Sequence, residues 1–152
     1  LSHELRPPQL DQLGLEDALG WLVERQRTAT GLKIECLCSG LPARLPTELE
    51  SACYRITQEA ISNVARHAKA GNIYIIVEAT EHLLKLTIRD DGVGFDPDEA
   101  RQQALKSGSL GLISMEERAQ LAGGRIKMRT VKGAGTTIKA TFALSPAPAE
   151  NQ

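Results

Sequence analysis

The stretch Leu83-Leu84-Lys85-Leu86-Thr87-Ile88-Arg89-Asp90-Asp91-Gly92-Val93-Gly94-Phe95 joins an apolar, β-rich run to an acidic one punctuated by glycine. Residues 83–89 read as a strand, and so do residues 72–79 before them. Thr80-Glu81-His82 between the two suggests an antiparallel hairpin. Asp-Gly is itself a turn signal, but Gly94-Phe95 is more than a two-residue turn requires. A carboxylate at the end of a buried strand can accept a hydrogen bond from an exocyclic amine. Glycines at 92 and 94 would let the backbone pass close to a flat ring.

Upstream of this hairpin, the spacing predicts a long helix from about Glu48 to Ala70, with Leu49, Cys53, Ile56, Ala60, Val64 and Ala68 on its apolar side. Thr47 is the expected N-cap, with Glu50 three residues on, and Gly71 the expected stop. Before that lie a helix over Asp17 to Arg27, closed by Thr30-Gly31, a strand from Leu32 to Leu37 and a loop from Pro42 to Pro46. Residues 1–13 read as a linker, turn-like, in which Pro7-Pro8 interrupts any helix arriving from upstream. Downstream come a polar stretch (residues 96–109), a helix from Leu110 to Leu121 stopped by Gly123-Gly124, and strands over 125–131 and 136–144. The Pro/Ala-rich tail, residues 145–152, is expected to be disordered. Short turns between neighbouring strands favour an α/β (α+β) two-layer sandwich over residues 14–144, with a mixed, mostly antiparallel sheet and helices on one face.

Composition narrows the function classes. The chain has 152 residues, 41% hydrophobic and 24% charged, as expected of a domain with a real core. A net charge of −1 gives no bulk attraction to nucleic acid or to an anionic membrane, and 3% aromatics leave few stacking platforms. Cys36, Cys38 and Cys53 match no zinc or redox spacing and read as small core hydrophobes in a reducing compartment. No apolar run approaches membrane-spanning length. The chain opens on Leu1 and is expected to be a piece of a longer protein, so membrane anchoring of the full-length molecule stays open.

Four features carry candidate chemistry. Glu59, Asn63 and Arg66 fall within roughly 60° of arc on the long helix, with His67 at the edge. They lie at the seam between the buried side and a solvated face formed by Ser51, Arg55, Gln58, Ser62 and Lys69. An amide oxygen such as that of Asn63 suits Mg²⁺, Glu59 can orient coordinated water, and Arg66 can meet phosphate in a fork. An ordinary amphipathic helix would show much the same stripe. The second feature is Asp90 with Gly92 and Gly94, where the accepted amine would be that of adenine; Asp91 is expected to face solvent. The third is Gly108-Ser109-Leu110-Gly111-Leu112, whose backbone N–H groups at a helix start suit phosphate. The fourth is Gly133-Ala134-Gly135-Thr136, where the Thr136 hydroxyl can support the carboxylate through water. The last two also read as a loop and as a plain glycine hairpin.

In this order and spacing the four features resemble the GHKL ATPases: sensor histidine kinases, gyrase, MutL and the large heat-shock ATPase. Gln58 to Ala68 looks like the N box, Asp90 to Gly94 like the first glycine box, Gly108 to Leu112 like the second, and Gly133 to Thr136 like the closing Gly-x-Gly-Thr. The likeness is strongest to bacterial two-component kinases of the nitrate-sensor and DesK-like class, through Leu5-Arg6-Pro7-Pro8, Leu13-Gly14-Leu15, Tyr54-Arg55-Ile56 and Leu112 to Ala119. It spans residue 1 to about 144.

The resemblance implies a Bergerat ATP-binding fold holding ATP and Mg²⁺. The γ-phosphoryl group passes to a histidine and then to an aspartate on a response-regulator receiver domain. Glu59 and Asn63 fall on its catalytic and metal positions, Glu59 acting on metal-bound water. Asn63, Arg66, His67, Asp90, Gly92, Gly94, Gly108, Leu110, Gly111, Leu112 and Thr136 fall on its nucleotide positions. Ser2-His3-Glu4 imitates a phospho-acceptor box, but His3 lies too close to Asn63 to leave room for a second dimerisation helix. The acceptor is therefore expected upstream, on helices that would also form a homodimer, in a cytoplasmic domain without membrane contact of its own. Two other readings stay open: a serine kinase of the anti-sigma-factor type on the same fold, and a nucleotide-sensing interaction domain without kinase activity.

Overall fold

The computed structural model describes residues 7–94, 98, 102 and 112–144. Helix α1 (Pro8–Thr30) is followed by strand β1 (Lys33–Ser39), helix α2 (Thr47–Asn63), a π-helical turn (Val64–Ala68), β2 (Asn72–Ala79), β3 (Leu83–Asp90), helix α3 (Leu112–Leu121), β4 (Gly124–Val131) and β5 (Gly135–Ala143). The strands form one open sheet in the order β1-β2-β3-β5-β4. The β1–β2 pair is parallel and the other three are antiparallel. The expected mixed two-layer architecture is thus the observed one, including the hairpin through Thr80 to His82.

The sheet alternates in and out as period-2 patterning requires. Register places Cys36, Ile75, Ile88, Ile138 and Met128 in one transverse row, and Cys38, Val77, Leu86, Ala140 and Ile126 in the next. These rows face the helices. Ile75, Val77, Leu86, Ile88 and Ala140 are buried together with Leu19, Leu22, Cys53, Ile56, Ala60 and Met115 from the helical layer. Arg27 ties the end of α1 to the sheet, donating from Nε and Nη2 to the Ile34 carbonyl at 3.0 and 2.6 Å.

Several element boundaries differ from the sequence expectation, each for a local reason. Pro8 opens α1, because proline fits the first helical turn where its missing N–H is not needed. Residues 8–13 are therefore helical rather than turn-like, and Leu10 is wholly buried. The segment is set off from the rest of α1 at Gly14, whose φ of 82° breaks the helix. A Cβ there would stand 2.7 Å from the Ala43 carbonyl oxygen, so glycine also admits the passing loop. Thr47 does not cap α2: Pro46 takes that position, without a side-chain capping bond. Glu50 is instead fully buried, gripped by Arg44 at 2.9 and 3.2 Å and by the Leu45 N–H at 3.1 Å. Arg44 also donates to the carbonyls of Leu10 and Asp11, fastening the loop before α2 to the break in α1.

All three cysteines are free; Cys53 is buried as expected, while Cys36 and Cys38 are only half-buried because β1 is an edge strand. Burial pushes the Cys53 thiol up to about 12. Among the described residues, no helix is long and apolar enough to cross a membrane.

Candidate functional site

The last turns of α2 bring three of the expected side chains together. Arg66 Nη2 donates to Asn63 Oδ1 at 3.2 Å and lies 3.7 Å from Glu59 Oε2, while Nη1 donates to Ser62 Oγ at 2.6 Å. Asn63 is buried, and Glu59 and Arg66 are partly exposed, which is the seam position the helical spacing implies. The supposedly solvated face is less open than expected. Ser51, Arg55, Gln58 and Ser62 are half-buried, and Arg55 donates to Gln58 at 2.8 Å.

The helix does not continue as a regular α-helix past Asn63. Val64–Ala68 winds as a π turn and ends at Lys69, in the left-handed conformation with φ 52°. The helix therefore stops two residues before Gly71. A π segment widens the turn, so an arc drawn at about 100° per residue holds only as far as Asn63. Arg66 still folds back onto Asn63 and Glu59. The backbone of His67 lies in the π turn, and its side chain lies outside the described residues.

Asp90 occupies the end of the inner face of β3. Below it the inner rows are apolar. At its own level the row turns polar, because Arg89 pairs with Thr137 and the next residues in register are Asp90 and Thr136, with Thr130 beyond. Asp90 is 7% exposed. Its Oδ1 accepts from the Gly92 N–H at 2.8 Å, which fixes the carboxylate in an Asx-type turn. Burial raises its pKa; the N–H groups of Gly92 and Thr136 oppose that rise, and the charge of Asp91 adds to it. The Thr136 hydroxyl itself is held by Thr130 at 2.9 Å. Thr136 thus supports Asp90 through its backbone N–H, and its hydroxyl sits in the same polar row.

Two glycines let this loop interlock with the β4–β5 turn. Gly94 has φ 67°, and a Cβ there would fall 2.1 Å from the Val131 carbonyl oxygen. Gly135 has φ 86°, and a Cβ there would fall 2.3 Å from the Asp90 carbonyl oxygen. The Gly133 N–H donates to Val93, closing the contact. The first and the closing glycine segments are therefore one structural unit. Of the remaining segment, Gly108, Leu110 and Gly111 lie outside the described residues. Leu112 is the first described residue of α3, with its side chain likewise outside them.

Asp91 is the residue whose part was not legible from the sequence. It is exposed, as expected, yet Oδ1 accepts from the N–H groups of Gly71 and Asn72 at 2.9 and 3.0 Å, and Oδ2 from Asn72 Nδ2 at 2.7 Å. These bonds hold its pKa below the usual carboxylate value. Asp91 clamps the chain leaving the π turn to the loop carrying Asp90, so it links the two halves of the candidate site. Asn72 opposite an Asp-Asp pair was the available signal.

The site offers a buried carboxylate held by backbone amides, an amide oxygen beside a carboxylate, and a guanidinium. No cluster of three or more His, Cys, Asp or Glu with metal-binding spacing exists among the described residues. That donor set suits Mg²⁺, which keeps most of its waters and needs only one or two protein oxygens.

The open mixed sheet, with helices on one face and a glycine-braced carboxylate at the end of its central strand, defines an α/β sandwich. Residues 48–146 match the histidine kinase-, DNA gyrase B- and HSP90-like ATPases, and the chain belongs to that family. Within it, the chain is 35% identical over 138 residues to the signal transduction histidine-protein kinase/phosphatase DegS of Brevibacillus brevis, covering 91% of this chain and 34% of that protein. It is 34% identical over 133 residues to the sensor histidine kinase ComP of Bacillus subtilis, covering 88% of this chain and 17% of that protein. The chain thus spans about a third or less of the length of these relatives. Among solved structures, the histidine kinase domain of the Erythrobacter litoralis EL346 blue-light activated histidine kinase superposes with a TM-score of 0.67 at 19% identity, over 86% of this chain and 61% of that one. That likeness establishes the shared fold.

Proposed function

We propose that this domain binds ATP with Mg²⁺ and presents the γ-phosphoryl group to a histidine, from which it passes to an aspartate of a response-regulator receiver domain. The observation that carries the reading is Asp90: a carboxylate buried at a sheet end, held by two backbone amides and walled by glycines where any side chain would clash. Such a group is suited to accept from the exocyclic amine of adenine. Asn63 and Glu59 would hold the metal with its water, and Arg66, already folded over both, would turn its fork to phosphate. Mg²⁺ would neutralise charge on the phosphate oxygens when bound. The protein's share is mainly positioning and charge stabilisation, for which a domain built of binding groups is sufficient. The names of the relatives, histidine kinases that handle signals, support the same assignment.

Calorimetric titration with ATP–Mg²⁺ tests it. The wild type is expected to bind, Asp90→Ala to lose roughly 10- to 100-fold in affinity, as for a hydrogen bond to a charged group, and Asn63→Ala to lose its dependence on Mg²⁺. Absence of binding to the wild type, or equal binding to all three proteins, would overturn it.

A further inference from the structure

The side chains on the face of the sheet turned away from the helices fall into two halves. Register sets three transverse rows there: Glu35, Tyr74, Arg89, Thr137, Arg129; then Leu37, Ile76, Thr87, Lys139, Lys127; then Ser39, Glu78, Lys85, Thr141, Arg125. The β3-β5-β4 half holds six cations and no carboxylate. By strand spacing and rise they occupy a patch of about 10 by 13 Å. Among the described residues none of the six takes part in an ion pair. The face encloses an open depression of about 610 Å³. The whole chain has a net charge of −1, so this concentration of positive charge is local.

Protection of an exposed edge does not explain it. Lysines commonly guard edge strands against unwanted pairing, and β4 is an edge. Lys139, Lys85 and Arg89, however, stand on the interior strands β5 and β3. Lys127 and Lys139 are directly opposite each other across β4 and β5, where like charges oppose folding.

The other half is apolar at its centre. Leu37 is 65% exposed and Ile76 is 36% exposed, side by side across β1 and β2. We infer that this face docks an acidic protein segment that also carries apolar side chains, its carboxylates on the Lys127–Lys139 side and its apolar residues on Leu37 and Ile76. Mixed apolar and cationic character suits a protein interface. Glu35 and Glu78, which flank the apolar pair, would be repelled by an anionic membrane. Tyr74 is the only aromatic in the three rows, and the Arg89 guanidinium covers its ring at 5.2 Å, so single-stranded nucleic acid finds no platform to stack on. The site around Asp90 lies toward the helical layer, so this docking is independent of the nucleotide reading.

The probe is a fluorescently labelled 20-residue helical peptide of Glu and Leu, read by anisotropy at low and physiological salt. The wild type is expected to bind it, more weakly as salt rises, and Lys127→Glu/Lys139→Glu to weaken binding at least tenfold. Lys127→Gln/Lys139→Gln, which removes the charges without reversing them, should give an intermediate loss. Lys139→Glu alone turns a repulsive cross-strand pair into an attractive one. Its melting temperature should be unchanged or higher while peptide binding falls, an outcome that damage to the fold would not produce. ATP–Mg²⁺ affinity should stay the same in every variant. Equal peptide binding by wild type and variants, or wild-type binding to phosphatidylserine vesicles or single-stranded DNA as tight as to the peptide, would overturn the inference.

Discussion

Asp90 and Asp91 are neighbours with opposite surroundings. Asp90 is buried and its pKa is raised by burial; Asp91 is exposed and its pKa is lowered by three hydrogen bonds. Substitution should separate their roles. Asp90→Asn keeps an oxygen to accept from Gly92 while removing a charge that burial disfavours, so its stability should be equal to the wild type or slightly higher. Its ATP affinity should still fall roughly tenfold or more, because the charge-assisted acceptor is gone. Paired denaturant melts and calorimetric titrations check this; a variant that loses affinity only in proportion to its stability would contradict it. Asp91→Ala should do the reverse at first, loosening the junction of the π turn and β2. Faster amide exchange at Gly71 and Asn72 is the expected signature. At this scale the sequence was informative about Asp90, because a strand running into Asp-Gly-x-Gly is a local pattern. For the Asp91 clamp it held only an indirect signal, Asn72 opposite the Asp-Asp pair, because Gly71 and Asn72 meet Asp91 only after the hairpin closes.

Among the elements, the break in α1 and the start of α2 are held by one charged group. Glu50 is fully buried, and Arg44 and the Leu45 N–H are among its partners; Arg44 in turn reaches the carbonyls at Leu10 and Asp11. Removing one partner of a buried pair strands the other charge. Arg44→Ala is expected to cost about 3 kcal/mol in urea unfolding, a lower-end value for such pairs because Arg44 is half-exposed. Glu50→Gln should cost less, since its amide oxygen can still accept from Leu45. If Arg44→Ala unfolds at the wild-type midpoint, the knot contributes nothing. Helical periodicity found α2 and its buried side, yet Thr47 and Glu50 imitated a capping box. The imitation failed because Pro46 already fixes the entry of the chain and Arg44 arrives from the preceding loop to claim the carboxylate. The π turn was illegible for a related reason. Val64 to Ala68 has good α-helical composition, and the extra winding shows only in where the Lys69 turn and the Asp91 clamp place the chain end.

For the molecule as a whole, the sheet order depends on β5 inserting between β3 and β4, and that insertion makes the site. It carries Thr136 into the row of Asp90 and brings Gly135 against the Asp90 backbone. The strands, their alternation and the one-sided helical layer were readable from patterning, whereas the union of the first and closing glycine segments is a product of topology. The two aspartates then set a pH order for the assembled domain. A carboxyl whose folded pKa is raised is protonated at a higher pH than an ordinary aspartate, and the folded state gains stability as pH falls through that value. A carboxyl whose folded pKa is lowered contributes stability above the ordinary value of 3.8, and that contribution is lost as pH falls through the lower folded value. Acidification should therefore neutralise Asp90 first, weakening nucleotide binding while the fold holds. The Asp91 clamp should open only below pH 3.8. Adenosine affinity measured from pH 7 downward in the wild type, relative to Asp90→Asn, should fall toward the variant's value above that pH, with the near-ultraviolet circular dichroism of the wild type unchanged. Loss of the tertiary signal at the same pH as loss of affinity would show that protonation of Asp90 and release of the clamp are one event.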